Sequence, residues 1–410
     1  MKLLKNCKYV YDGNKVLEDK NIIIKEDKIK DVKDVKDQIP SSIKFDQIID
    51  CQNHAIFPSL FNSHNHSAMI FLRSYKDDLS FHNWLKNMLN VEENISEKLI
   101  YESSIIAIYE MIKTGTAGFF DMYYFPKETK KACEDIGIFS ILSSKEEFNE
   151  SNFVKQARLL HSIYSEDEET LKKQAKISKE KNQLINIHIS ETRKEINDCY
   201  KKHNMYPVEY LNKINLLSDR LVGSHVSWVT KKEIKMLKKN KCKVVTCPTS
   251  NMKLSTGGTL QYKEFKKHEI PILLGTDSVA SNNNLNLIEE AKIFSLIQKH
   301  SYWDSSIINS KESMNTAING WNLIKRYGVK SGKIKKGYKA NLFGVSLKET
   351  EMIPSFKDNV ISNLIYGTPN IDFHYINGIK KYDSNMKNGI EKRVKKAKKV
   401  ISEFAKKEMI

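Results

Sequence analysis

Residues 56–66 read IFPSLFNSHNH, an apolar run that ends in two histidines spaced two apart. On a strand, residues i and i+2 face the same side, so His64 and His66 present both imidazoles to one face. The texture recurs along the chain. TAGFFDMYY starts at Thr116, GIFSILSSK at Gly137, LINIHISE at Leu184, RLVGSHV at Arg220, CKVVTCPTSN at Cys242 and EIPILLGTD at Glu269. Helical patterns separate these runs, among them SEKLIYESSIIAIYEMIKTG, which stops at Gly115. Short, nearly continuous apolar runs alternating with helices predict a parallel sheet covered on both faces. Seven runs are clear and an eighth, near residues 156–161, is weaker. Eight strands predict an α/β fold, a (β/α)8 TIM-type barrel over residues 57–334.

The flanks read differently. LLKNCKYVY, NIIIKEDKIKDV and QIIDCQ near the start, and KANLFGVSL and FHYINGIKKYD near the end, are short alternating runs with turn residues between them. Residues 1–56 and 335–385 are therefore expected to form one composite β-sandwich domain, with the barrel inserted between them. Residues 386–410, rich in Lys and Arg, are expected to form a basic C-terminal helix whose Val394, Val400, Ile401 and Phe404 fall at docking spacing.

The 410 residues carry a formal charge of +17, with 67 Lys and Arg against 50 Asp and Glu. The lysines are spread and mixed with Asn, Ile and Glu, so composition argues for a solvated surface over a nucleic-acid-binding face. No stretch approaches the roughly 20 apolar residues of a membrane span. The N-terminus turns polar too soon for a secretory signal, so a cytoplasmic location is expected. Six scattered cysteines with no C-x-x-C pair read as reduced thiols, with Cys247 a small buried hydrophobe beside a strand end.

In a barrel of this kind, chemistry sits at the C-terminal ends of the strands. The first run ends in His64 and His66, the fifth in His188, the sixth in His225 and the eighth in Asp277. Three imidazoles and a carboxylate suit one divalent metal of the zinc or ferrous class. Such a metal with an open position lowers the pKa of bound water from 15.7 toward roughly 7. Glu191, three residues after His188, lies just past its strand and within reach of that water as a proton acceptor. Each feature alone is weak: H-x-H recurs by chance, and an aspartate after Gly-Thr can cap a helix. Their joint fall on strand ends identified independently is what carries the reading. His54, His82, His203, His268, His300 and His374 are assigned surface or packing roles.

These residues, together with FPSLFNSHNHSAMIFLRSYKDDLSFHNWL, INIHISET, GSHV, PTSNMKLSTGG and GTDSVASNN, make the chain resemble the amidohydrolase superfamily, specifically 5-methylthioadenosine/S-adenosylhomocysteine deaminases. The resemblance implies that His64, His66, His188 and Asp277 hold one metal, zinc with iron the alternative, and that His225 orients its hydroxide. Glu191 then shuttles the proton to the purine. Trp84 resembles an aromatic that packs on the substrate. Glu92, or Glu93 under a one-residue shift, resembles a carboxylate that grips the ribose, and His161 a substrate-contacting histidine. A closed homo-oligomer is implied too. The chain departs from the pattern in three places. LSSKEE, with Ser144 and Lys145, stands where an arginine is usual, the following segment up to His161 is short, and Asn341 replaces an aspartate. Lys145 is also the lysine near the position where two-metal relatives carry a carboxylated one.

The expected activity is hydrolytic deamination of the adenine ring of an adenosine-type nucleoside: S-adenosylhomocysteine, 5-methylthioadenosine, 5-deoxyadenosine or adenosine. The alternatives are another reaction of the superfamily, such as guanine or cytosine deamination or triazine dechlorination, and, from a different class, a non-catalytic basic nucleic-acid binder.

Overall fold

A computed structural model of the chain describes residues 1–40, 42–384 and 389–409. Eight parallel strands run β1 Leu60–Asn65, β2 Thr116–Asp121, β3 Phe139–Ser144, β4 Val154–Ser162, β5 Leu184–Ile189, β6 Leu221–His225, β7 Lys243–Thr246 and β8 Ile272–Leu274. They pair in sequence order, each parallel to the next. The ends meet beyond the ladder. The Asp277 amide donates to the His64 carbonyl at 3.1 Å. The Asn62 side chain spans the seam as well, donating to Thr276 Oγ1 at 2.7 Å and accepting from the Thr276 amide at 3.1 Å. The (β/α)8 barrel expected from the apolar runs is therefore present. Its weak fourth strand is nine residues long.

Most barrel strands are buried along their whole length, as strands covered on both faces must be. The helix Glu97–Lys113 shows the local logic. Ser96 caps it by accepting from the Leu99 amide, and Gly115 follows at φ +82°, a conformation in which a Cβ is strained.

The two flanks share one eight-stranded sheet. Its order is Ile379–Asp383, Phe373–Ile376, Leu342–Ser346, His54–Pro58, Lys2–Tyr11, Val16–Lys25 and Lys28–Asp34, with Gln47–Asp50 also paired to Lys2–Tyr11. A core of its own gathers Leu4, Val10, Ile24, Ile56, Leu342 and Tyr375. Asn341 is buried there, accepting from the Asn377 amide and donating to Ser331 Oγ. The domain boundary expected between 385 and 386 lies outside the described residues. The basic helix runs Gly389–Glu408. Val394 and Ala397 are buried, and the Phe404 ring meets Phe71 at 5.3 Å, just beyond the β1 exit. Among the described residues no helix is long and apolar enough to cross a membrane.

Candidate active site

His64, His66, His188, His225 and Asp277 converge at the C-terminal mouth of the barrel. Nε2 of His188 lies 3.2 Å from Nε2 of His64. Asp277 Oδ1 is 3.6 Å from His64 Nε2 and 3.2 Å from His66 Nε2. The potential ligand atoms of His64, His66 and Asp277 lie within 4.8 Å of one another, and so do those of His64, His188 and His225. The strand exits are bent to achieve this. His225 sits at φ +70°, Val226 at +47° and Asp277 at +59°. A β-branched residue such as Val226 rarely takes this conformation, and backbone strain of this sort concentrates at functional sites.

Three of the four rings are aimed from behind, while His64 Nδ1 is buried with no partner among the described residues. His66 Nδ1 contacts the Met122 carbonyl and His188 Nδ1 the His161 carbonyl, so both nitrogens carry hydrogen and both Nε2 atoms keep bare lone pairs. His225 Nδ1 meets Asn251 Oδ1 at 2.8 Å, while Asn251 Nδ2 donates to Ser227 Oγ. Asp277 Oδ2 accepts from Ser250 Oγ at 2.6 Å and Ser281 Oγ at 3.2 Å, leaving Oδ1 facing the imidazoles.

Burial and the Asp277 carboxylate act on the imidazoles in opposite directions. Burial pulls His64 down to about 4 and pushes His188 well below the ordinary range. Burial also opposes charge on His66, yet the Asp277 carboxylate outweighs it and leaves His66 raised. Asp277 is itself held well below the usual carboxylate range by His64 and His66, against the effect of burial. Bare nitrogens packed this closely around a carboxylate oxygen fit a divalent cation, which would satisfy every converging lone pair at once.

Glu191 and His225 line the same cavity, with Glu191 Oε1 3.7 Å from His225 Nε2. Burial raises the Glu191 carboxyl above its ordinary value. The cavity holds about 470 Å³, within the range of small-molecule sites. Trp84 lines it, is nearly buried, and leaves its indole Nε1 buried with no partner among the described residues. Glu92 lines it too, its Oε1 taking a 2.5 Å hydrogen bond from the Tyr123 hydroxyl. Glu93 is exposed and does not. The His161 ring stands 4.8 Å from that of His188 and is kept neutral, at about 4, chiefly by burial. Lys145 lines the cavity as an ion pair with Glu166 at 2.8 Å.

Several contributors escaped the sequence reading. Ser250, Asn251 and Ser281 hold Asp277 and His225 from the β7 and β8 exits. Tyr123 orients Glu92. Their segments, PTSN, SVAS and MYY, were visible, but nothing in their spacing tells which side chain turns back onto a strand end. Among the assigned bystanders, His374 is fully buried, bound to Ser59 Oγ and the Ile112 carbonyl, and His54 pairs with Asp372. All six cysteines are buried and free, Cys247 included.

Residues 55–380 match the model of the amidohydrolase family. The chain belongs to that family. It is 35% identical over 79% of its length, and 81% of the relative's, to 5-methylthioadenosine/S-adenosylhomocysteine deaminase 1 of Archaeoglobus fulgidus. It is 34% identical over 78% of its length, and 80% of the relative's, to a 5'-deoxyadenosine deaminase of Methanosphaera stadtmanae. Among solved structures, an adenosine deaminase from Xanthomonas campestris with bound zinc superposes with a TM-score of 0.89 at 22% identity, covering 99% of this chain and 98% of that one. An atrazine chlorohydrolase from Arthrobacter aurescens superposes at 0.86 and 18% identity, covering 98% and 100%. At such identities both structures support the fold alone.

Proposed function

We propose that this amidohydrolase deaminates the adenine ring of an adenosine-type nucleoside to the inosine analogue and ammonia. The observation that carries the reading is the buried Glu191 facing His225 at 3.7 Å in the cavity that also holds the histidine–aspartate cluster and Glu92. The deaminase names of relatives at 34–35% identity support the same chemistry.

His64, His66, His188 and Asp277 would hold one divalent cation, for which zinc is our assignment from the donor set. Once bound, it activates water as a nucleophile near neutral pH. The remaining steps fall to the chain. Glu191 accepts a proton from the water and passes it to the ring nitrogen beside the carbon that bears the amine. The water oxygen bonds to that carbon, the carbon–nitrogen bond breaks, and ammonia leaves with the remaining protons. A carboxyl raised by burial suits a group that takes and gives a proton in one cycle. Asn251 fixes His225 with its Nδ1–H directed away from the cavity, so Nε2 is free to accept from the attacking water and hold it in line. Trp84 offers an unpartnered N–H, and its ring provides an apolar wall for the base. Tyr123 leaves one Glu92 oxygen free for the ribose hydroxyls. His161 closes the wall beside His188.

An ammonia-release panel over 5-methylthioadenosine, S-adenosylhomocysteine, adenosine, guanine and cytosine, with metal content measured on the same batch, tests the proposal. Turnover of adenine nucleosides alone is expected. Glu191→Gln should keep the metal and lose at least about 10²-fold in kcat. Guanine or cytosine as the preferred substrate, or native turnover by E191Q, would overturn it.

A further inference from the structure

The cavity is poor in usable positive charge. Four carboxyl groups line it, those of Glu92, Glu166, Glu191 and Asp277, and among its lining residues Lys145 is the single Lys or Arg. That cation is already engaged. Lys145 Nζ lies 2.8 Å from Glu166 Oε2, and the Glu166 side chain is only 8% exposed. The pair joins two neighbouring strand exits, since Lys145 follows β3 and Glu166 follows β4.

A buried arginine keeps the pair in place from behind. Arg158, fully buried on β4, donates to the Lys145 carbonyl, to Gln174 and to Glu147. Its guanidinium, the best carboxylate reader in this region, is used up in the wall and does not line the cavity. The rest of the lining near the helix Phe81–Glu92 is apolar: Phe81, Leu85, Met88, Leu89 and Met69.

We propose that the Lys145–Glu166 pair makes this site selective for nucleosides whose 5' substituent is uncharged and apolar, such as hydrogen or methylthio, and that Glu166 is the specificity residue because it withholds the lysine from a substrate carboxylate. The inference rests on the adenosine-deaminase reading above and goes beyond it to the substrate. An anionic tail meets a half-exposed lysine whose charge Glu166 already neutralises, so it must either share the ammonium, with two carboxylates side by side, or displace Glu166 and leave that nearly enclosed carboxylate without its cation. A neutral tail leaves the pair intact and buries its apolar surface against the methionine and leucine side chains.

Three substrates with one 5'-thioether core separate the cases: 5-methylthioadenosine (neutral tail), 5'-carboxyethylthioadenosine (anionic tail) and S-adenosylhomocysteine (zwitterionic tail). The readout is kcat/KM for ammonia release by the metal-loaded enzyme. The neutral substrate should lead both others by at least about tenfold, with the difference in KM. Glu166→Gln should raise the anionic substrate relative to the neutral one by at least about fivefold, and the further change Lys145→Met should cancel that gain. A merely structural role for Glu166 would move all three substrates together, and that result overturns the proposal. So does a wild-type enzyme that favours S-adenosylhomocysteine and loses that preference in E166Q, since the pair would then read an amino-acid headgroup. If E166Q does not fold, the wild-type ratios alone decide. Failure of all three substrates would refute the deaminase reading itself, an outcome distinct from a wrong ratio among active substrates.

Discussion

Glu290 shows how single side chains support the site at a cost. It is buried on the helix Leu287–Tyr302, where it accepts from Asn282 Nδ2 and from the Thr249 amide, tying together the loops that carry Asp277 and Ser250. Burial raises its carboxyl to about 8, and that of Glu195 to about 7, from 4.5. A raised folded pKa means that stability is fully present below the unfolded value and is lost as pH climbs through the folded one. Buried neutral histidines act in the opposite sense. His64, His161 and His374, held near 4, make stability rise between about 4 and 6.5. The carboxyl signal is therefore read above pH 7. We expect the melting temperature to fall between pH 7 and 8 and then level off, and Glu290→Gln to flatten that fall, which is worth on the order of 1 kcal/mol over this window. Thermal melts of both proteins across this range check it, and parallel curves would rule out a neutral Glu290. None of this was readable in the chain, because Glu290 acts through Asn282 and Thr249, and only Asn282 is close to it in sequence. The cluster residues were legible for the opposite reason: each lies at or just past the end of an apolar run, although the positive φ at His225 and Asp277 that turns them inward was not.

The closing seam of the barrel rests on one small residue. A Cβ built on Gly275 would lie 2.7 Å from the His64 carbonyl oxygen, 2.8 Å from its Cβ and 2.9 Å from its amide nitrogen. Backbone atoms cannot yield as a flexible side chain does. Gly275→Ala should thus force β1 and β8 apart, costing about 1–3 kcal/mol of stability and weakening metal retention, because His64 and Asp277 sit on the two sides of the seam. Gly389→Ala, with nothing within 4 Å of the added carbon, is the control and should be near neutral. Melting and metal content of the two variants decide the matter, and equal behaviour would mean the seam is not tight. The GTD motif marked this strand end, but the need for glycine there appears only once the two strands touch. The fourth strand was weak for a different physical reason. VKQARLLHS buries Gln156 and Arg158 in place of aliphatic residues, and Arg158 is tolerated because Glu147, Gln174 and the Lys145 carbonyl satisfy its guanidinium.

Across the whole molecule, the converging donors join distant parts of one chain. His64 and His66 leave β1, His188 ends β5 and Asp277 follows β8, so a cation held among them would clamp the first, middle and last strands at one end of the barrel. Behind β1, the segment Ser67–Leu72 packs through Phe71 on Phe404 of the C-terminal helix. The nitrogens of His64, His66 and His188 and the Asp277 oxygen converge at 3.2–3.6 Å. Binding to the folded state alone stabilises it by RT ln(1 + [L]/Kd), about 4 kcal/mol when free metal is a thousand times Kd. Stripping the metal with a chelator should therefore lower the melting temperature by several degrees and abolish ammonia release, and adding back zinc should restore both. His188→Ala should start near the stripped value and respond little to chelator, because its site is already broken. A wild-type protein whose melting temperature is unchanged after the metal is verifiably removed would show that the cluster is held by its hydrogen bonds alone, and the clamp would have to be abandoned.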